Sequence, residues 1–180
     1  MKQAVSQKVD RPLMAVTCAI DLSVKALLLP QIRAFQQAGY DVEVICSDGD
    51  LVPVLRGQGL TIHTVAISRA ISPLGDLAAV WRLWRLFRSR RYRIVHSHTP
   101  KAAFVTQAAA WLAGVPVRVN TLHGFYFLAA PSGFRRSTFK MLEVLTCRLC
   151  HHVFSQSMED VQWAVSHRKI RPERIEWLGN

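Results

Sequence analysis

Seven short segments of this chain are apolar on successive residues: LMAVTCAI (13–20), YDVEVICS (40–47), LTIHTVAI (60–67), RIVHSH (93–98), VPVRVNTLH (115–123), HVFSQS (152–157) and a last one within RPERIEWLGN (171–180). A strand that does not alternate between apolar and polar residues has no face to give to water. Such strands belong to parallel sheets covered by helices on both sides. Between them lie stretches with helical spacing. Leu28, Ile32 and Phe35 recur in 21–39, and Leu77, Val80, Trp81, Trp84 and Phe87 predict one apolar stripe in 72–92. Residues 100–114, 134–151 and 157–167 complete the series, the last with Ser157 as cap and Asp160 three residues on. The alternation predicts an α/β fold: a doubly wound, Rossmann-like parallel sheet with helices on both faces.

The chain has 180 residues. That is enough for one domain, which at this size buries about 70% of its unfolded surface. We read 1–12 as a flexible tail and 13–180 as the domain. Pro30 must lie in or near a first helical turn, or it would kink the helix. Residues 124–133, GFYFLAAPSG, read as a loop.

Charge narrows the partners. There are 23 Lys and Arg against 12 Asp and Glu, a net +11. Such a surface suits polyanions: nucleic acid, an acidic membrane or phosphorylated small molecules. The first residues lack the apolar core of a secretory signal. The longest low-charge run, AAFVTQAAAWLAGVPV, is too short and polar to span a bilayer. A cytoplasmic protein follows as the expectation, one that can touch the inner face of the cell membrane peripherally. CRLCH (147–151) has the spacing of a haem attachment sequence. Its cysteines fall on an apolar helix face, where Cys behaves as a small hydrophobe. Cys18 and Cys46 stand singly, so no metal site is expected.

In doubly wound sheets, ligands bind beyond the carboxyl ends of the strands. Segment four leaves at His98, Thr99, Pro100 and Lys101. Pro100 suits a first helical position, and the helix start presents unpaired N–H groups to an anion. A lysine there opposes the helix dipole, a conflict that a bound phosphate would offset. Segment five leaves at His123, Gly124 and Phe125, followed by Tyr126 and Phe127. Segment one leaves at Asp21 and Ser23, and segment six at Ser155 and Gln156. These groups would share one rim. His96, two residues deeper than His98, reads as a satisfied core histidine.

The stretches LLLPQIRAFQQAGYDVEVICS, RRYRIVHSHTPKAAFVTQAAAWLAGVPVRVNTLHGF, VFSQSMEDVQWA and WLGN resemble the N-terminal half of family 4 glycosyltransferases of the bacterial capsule and surface-polysaccharide type. The resemblance implies one half of a two-domain (GT-B) fold. This half would hold the acceptor, with Asp21, Ser23, His98, Thr99, Lys101, Gly124, Phe125, Ser155 and Gln156 contacting substrate. His123 matches the histidine that lies beside the donor sugar and would be the catalytic residue. Transfer would be retaining, with a nucleotide-sugar as co-substrate and no metal or other cofactor. The acceptor would be a polyprenyl-diphosphate-linked glycan. The donor-binding C-terminal domain, with its paired glutamates, is expected to be missing, leaving a half that is inactive alone. One departure stands out: AIDLSVKALLLP has no glycine where relatives carry a glycine-rich loop.

Two other functions compete. A basic nucleic-acid-binding module would use Arg82–Arg93, yet no reader motif accompanies those arginines, and no nucleic acid is expected. A nucleotide-sugar hydrolase or epimerase would ordinarily show a G-x-S-x-G or G-x-G-x-x-G sequence, and neither is present.

Overall fold

The structure is a computed structural model that describes residues 11–179 apart from positions 69, 71 and 131. The expected tail thus lies almost wholly outside the described residues. Seven parallel strands form one sheet: β1 (Leu13–Thr17), β2 (Asp41–Cys46), β3 (Thr61–Thr64), β4 (Ile94–His98), β5 (Val117–Leu122), β6 (His152–Ser155) and β7 (Ile175–Trp177). Their spatial order is β3-β2-β1-β4-β5-β6-β7. The order reverses between β1 and β4, where Val16 pairs with His96. This switch point opens a crevice at the carboxyl edge.

Helices α4 (Pro73–Arg90), α5 (Pro100–Ala113), α7 (Phe134–Leu149) and α8 (Met158–Ser166) cover one face. The other face is covered over β1–β3 by α2 (Leu29–Gln37) and α3 (Val52–Gly57). Beside α2 that face keeps an apolar groove of about 310 Å³, lined by Phe35, His96, Val119, Phe154 and Leu178.

The first helical stretch is not uniform. A short helix, α1 (Asp21–Ser23), runs through a π turn at Val24–Leu28 into α2. Pro30 then falls at the second position of α2, directly after the π turn. A short helix, α6 (Tyr126–Ala129), interrupts the expected 124–133 loop. The stripe of α4 is also corrected. Ala79, Leu83 and Phe87 face the core, with Val80, Trp84 and Leu86 packed beside them, while Leu77 and Trp81 are exposed. The helix lies close against the alanine-rich α5. Trp81 instead lies beneath the Arg85 guanidinium, 4.9 Å from its ring centre.

One buried acid ties the amino end of the sheet together. Glu43 on β2 accepts hydrogen bonds from Arg90, the Tyr92 hydroxyl and His63 (Nε2, 2.8 Å). Burial would raise its pKa, but these hydrogen bonds outweigh burial and hold the carboxyl below its ordinary value.

Candidate functional site at the carboxyl edge

The exits of β1, β4, β5 and β6 sit side by side, as the strand order requires. Between the β1 exit, the first turn of α5 and the α6–α7 segment lies a cavity of about 340 Å³. Ile20, Ser23, Thr99, Lys101, Tyr126 and Arg135 line it. Thr99 caps α5 with φ 64° and ψ 136°, a conformation that a β-branched residue adopts only at a cost. Among the described residues its buried hydroxyl has no hydrogen-bond partner, and neither has Nε2 of His98. Unpaired buried polar atoms are few in native structures and each needs a reason. Here both occur at consecutive residues where α5 begins.

A chain of imidazoles stands behind the rim. The Nδ1–H of His123 donates to Oε1 of Gln156 at 2.9 Å, because an amide oxygen can only accept. Nε2 of His123 therefore accepts from Nδ1–H of His98 at 3.2 Å. His98 is 1% exposed and its ring centre lies 4.4 Å from that of His96. His96 is held by the Thr121 hydroxyl at 2.7 Å, the satisfied core histidine that its position predicts. Burial, and then the neighbouring imidazoles, push His98 well below its ordinary pKa and His96 down to about 3. Both rings are neutral near pH 7, so exposed His123 meets no imidazolium at its back.

The remaining rim residues divide. Ser23 faces the cavity. Gly124, at φ 98°, gives the turn after His123. Lys101 lines the cavity with its stem, but its ammonium is held by Asp76 and the Ala70 carbonyl. Ser155 is buried and accepts from the Ser157 N–H at 3.1 Å. Phe125 is buried against Phe127 and Trp163. Asp21 turns to the next loop: Oδ1 accepts from Leu22 N–H at 2.7 Å and Oδ2 from Leu51 N–H at 2.8 Å. Gly49 makes room for that carboxylate, since a Cβ there would lie 2.2 Å from Asp21 Oδ2. Gly49→Ala should therefore expel the carboxylate and lower stability by about 1–2 kcal/mol, the value of a lost cap. Denaturant unfolding measures this, and an unchanged midpoint would show that the carboxylate is not seated there.

Two acids shape the loop after β5: Asp160, which its spacing from Ser157 places in the first turn of α8, and Glu143, which the sequence did not single out. Asp160 Oδ2 accepts from Phe125 N–H at 2.8 Å. The two oxygens of Glu143 accept from Tyr126 N–H and Phe127 N–H at 2.9 and 3.1 Å. Burial pushes Glu143 up to about 7 despite those bonds. Its position was a usable signal: Glu143 falls midway between Phe139 and Cys147 on the apolar face of α7, where an acid needs partners.

A seven-stranded parallel sheet whose strand order reverses beside this edge defines a doubly wound, Rossmann-like domain. The chain belongs to the glycosyl transferase 4-like domain family, whose model matches residues 26–180. It is similar to the Escherichia coli UDP-Gal:alpha-D-GlcNAc-diphosphoundecaprenol alpha-1,3-galactosyltransferase, 26% identical over 87% of this chain and 41% of that protein. It is likewise similar to the Staphylococcus aureus capsular polysaccharide biosynthesis glycosyltransferase CapM, 27% identical over 85% of this chain and 40% of that protein. The chain thus spans about two fifths of these relatives' length. Among solved structures, a glycosyltransferase from Rickettsia africae superposes with a TM-score of 0.68 at 16% identity, covering 95% of this chain and 43% of the other. The UDP-GlcNAc 2-epimerase from Methanocaldococcus jannaschii gives 0.69 at 12% identity, covering 94% and 45%. At such identities the likeness shows the fold alone, which transferases and epimerases share.

Proposed function

We propose that this chain forms the acceptor-side half of a retaining glycosyltransferase of surface-polysaccharide assembly. In this reading a sugar passes from a nucleotide-sugar to a polyprenyl-diphosphate-linked glycan, the type of transfer for which the Escherichia coli relative is named. The observation that carries the reading is the strained Thr99 at the start of α5, its hydroxyl unpaired among the described residues, beside a cavity lined by Ser23, Tyr126 and Arg135 and one residue after the His98 that meets His123. The acceptor diphosphate would lie against the helix N–H groups and Arg135, because the Lys101 ammonium is already held by Asp76. His123 would stabilise charge developing between donor sugar and leaving diphosphate. The donor itself would be held by a second domain.

The same reading places the cavity mouth at a membrane. Leu74 is 84% and Phe134 87% exposed, at the starts of α4 and α7. The acids of these helices point elsewhere: Asp76 pairs with Lys101, and Glu143 is buried. Arg135, Arg136 and Lys140 accompany the apolar side chains, a combination suited to the anionic inner face. No helix among the described residues is long and apolar enough to cross a membrane.

Binding of a short-chain polyprenyl-diphosphate-linked GlcNAc in detergent tests the assignment. The wild-type chain should bind, and Arg135→Ala should bind about tenfold more weakly, the loss of one charge-assisted hydrogen bond. No binding above that of the lipid phosphate-free analogue overturns the acceptor reading. Sugar transfer by the 180-residue chain alone would refute the half-enzyme account.

A further inference from the structure

We propose a second anion site at the opposite, amino edge of the sheet, formed by Arg88, Arg91 and Arg93 and selective for a phosphoryl group. It does not depend on the acceptor reading. The three arginines line one cavity of about 470 Å³, with Tyr92 in its floor and Gly114 and Pro116 in its wall. No acidic side chain lines it. Among the described residues, none of the three makes an ion pair, whereas their neighbour Arg90 is paired with Glu43. The chain thus supplies an acid where an arginine has a structural task and withholds one here.

Helix-end electrostatics do not account for the cluster. The negative end of α4 favours cations in its last turn, which covers Arg88. Arg91 and Arg93 lie beyond that turn, and three like charges around one hollow repel each other. Arg91 also occupies the position after the helix with φ 56° and ψ 46°, where glycine is the ordinary residue. An arginine is kept in a left-handed conformation although glycine would relieve it. Such a breach of local preference is expected where a side chain serves a ligand.

Guanidinium forks match phosphate oxygens in pairs. The volume lies within the range of small-molecule sites. A soluble diphosphate and a phospholipid headgroup present the same chemistry, and two experiments separate them. Inorganic pyrophosphate is titrated calorimetrically at low salt, and the chain is sedimented with phosphatidylglycerol or phosphatidylcholine vesicles. Arg91→Gly is the deciding variant. It should weaken binding about tenfold in whichever arm is positive and raise the unfolding midpoint by about 2 °C. A combined Arg88→Gln and Arg93→Gln variant should abolish that binding while leaving the fold intact. Pyrophosphate binding identifies a soluble ligand, and binding confined to phosphatidylglycerol identifies a headgroup. No binding in either arm overturns the proposal. Binding in either arm that Arg91→Gly leaves unchanged also overturns it, because the contact then belongs to the carboxyl-edge cavity or to α4 and α7. Retention of an oligonucleotide without binding in either arm would overturn it in favour of a nucleic-acid surface.

Discussion

Between pH 6 and pH 5 the folded chain should lose stability at about 1.4 kcal/mol per pH unit, the slope of one proton. The sign follows from three buried groups. His96 and His98 are held below their ordinary pKa by burial, so they stay neutral when folded and gain protons when unfolded. Their stabilisation is present above pH 6.5 and is lost as the pH falls. Glu143, raised to about 7, acts in the opposite sense. Its stabilisation is complete below the unfolded value near 4.5 and is lost as the pH rises through 7. In that window the unfolded state binds nearly two protons at the histidines and the folded state holds one at Glu143, a net difference of about one. Urea unfolding at pH 6.5, 6 and 5 measures the slope. His96→Phe, which keeps an aromatic ring between Phe35 and Phe154, removes one of the two protons and should nearly flatten the profile. Parallel wild-type and variant profiles would mean that His96 is protonated in the folded state.

Asp76→Ala should destabilise the chain by about 3 kcal/mol, because it leaves a buried ammonium without its counter-ion. Lys101 is 5% exposed, and its other partner is the Ala70 carbonyl. Adding Lys101→Met to Asp76→Ala should recover most of that loss, since two apolar side chains leave no charge to desolvate. The pair is a strap: it fixes the start of α4 to the start of α5, next to the cavity. A double variant no more stable than Asp76→Ala would show that the loss comes from α4 itself and not from the stranded charge.

The sequence disclosed what depends on neighbours along the chain. Unbroken apolar runs fixed the seven strands, Ser157 capped α8 through the Asp160 N–H at 3.2 Å as its spacing predicted, and the strand exits gathered on one edge. Contacts between distant segments were not legible. Asp21 meets Leu51 thirty residues on, and Lys101 meets Asp76 across two helices. A residue's type says that it needs a partner, not which one it finds. The stripe of α4 failed for another reason. That helix carries more large apolar residues than its inner face can hold, so spacing alone could not choose between Trp81 and Leu83. Glu143 lies in the middle of α7, away from the strand exits where ligand-binding groups gather, and its partners are backbone N–H groups sixteen and seventeen residues earlier.

The π turn at Val24–Leu28 sets the phase of everything before it. Each residue of a helix advances the chain by about 100°, and a π turn is a helix carrying one surplus residue. Deleting a single residue from VKALL would restore regular winding and swing the preceding segment by that angle. Asp21 would leave its berth at Gly49, and Ser23 would rotate out of the hollow beside Thr99. The tolerance of this stretch is therefore to changes of letter and not to changes of count.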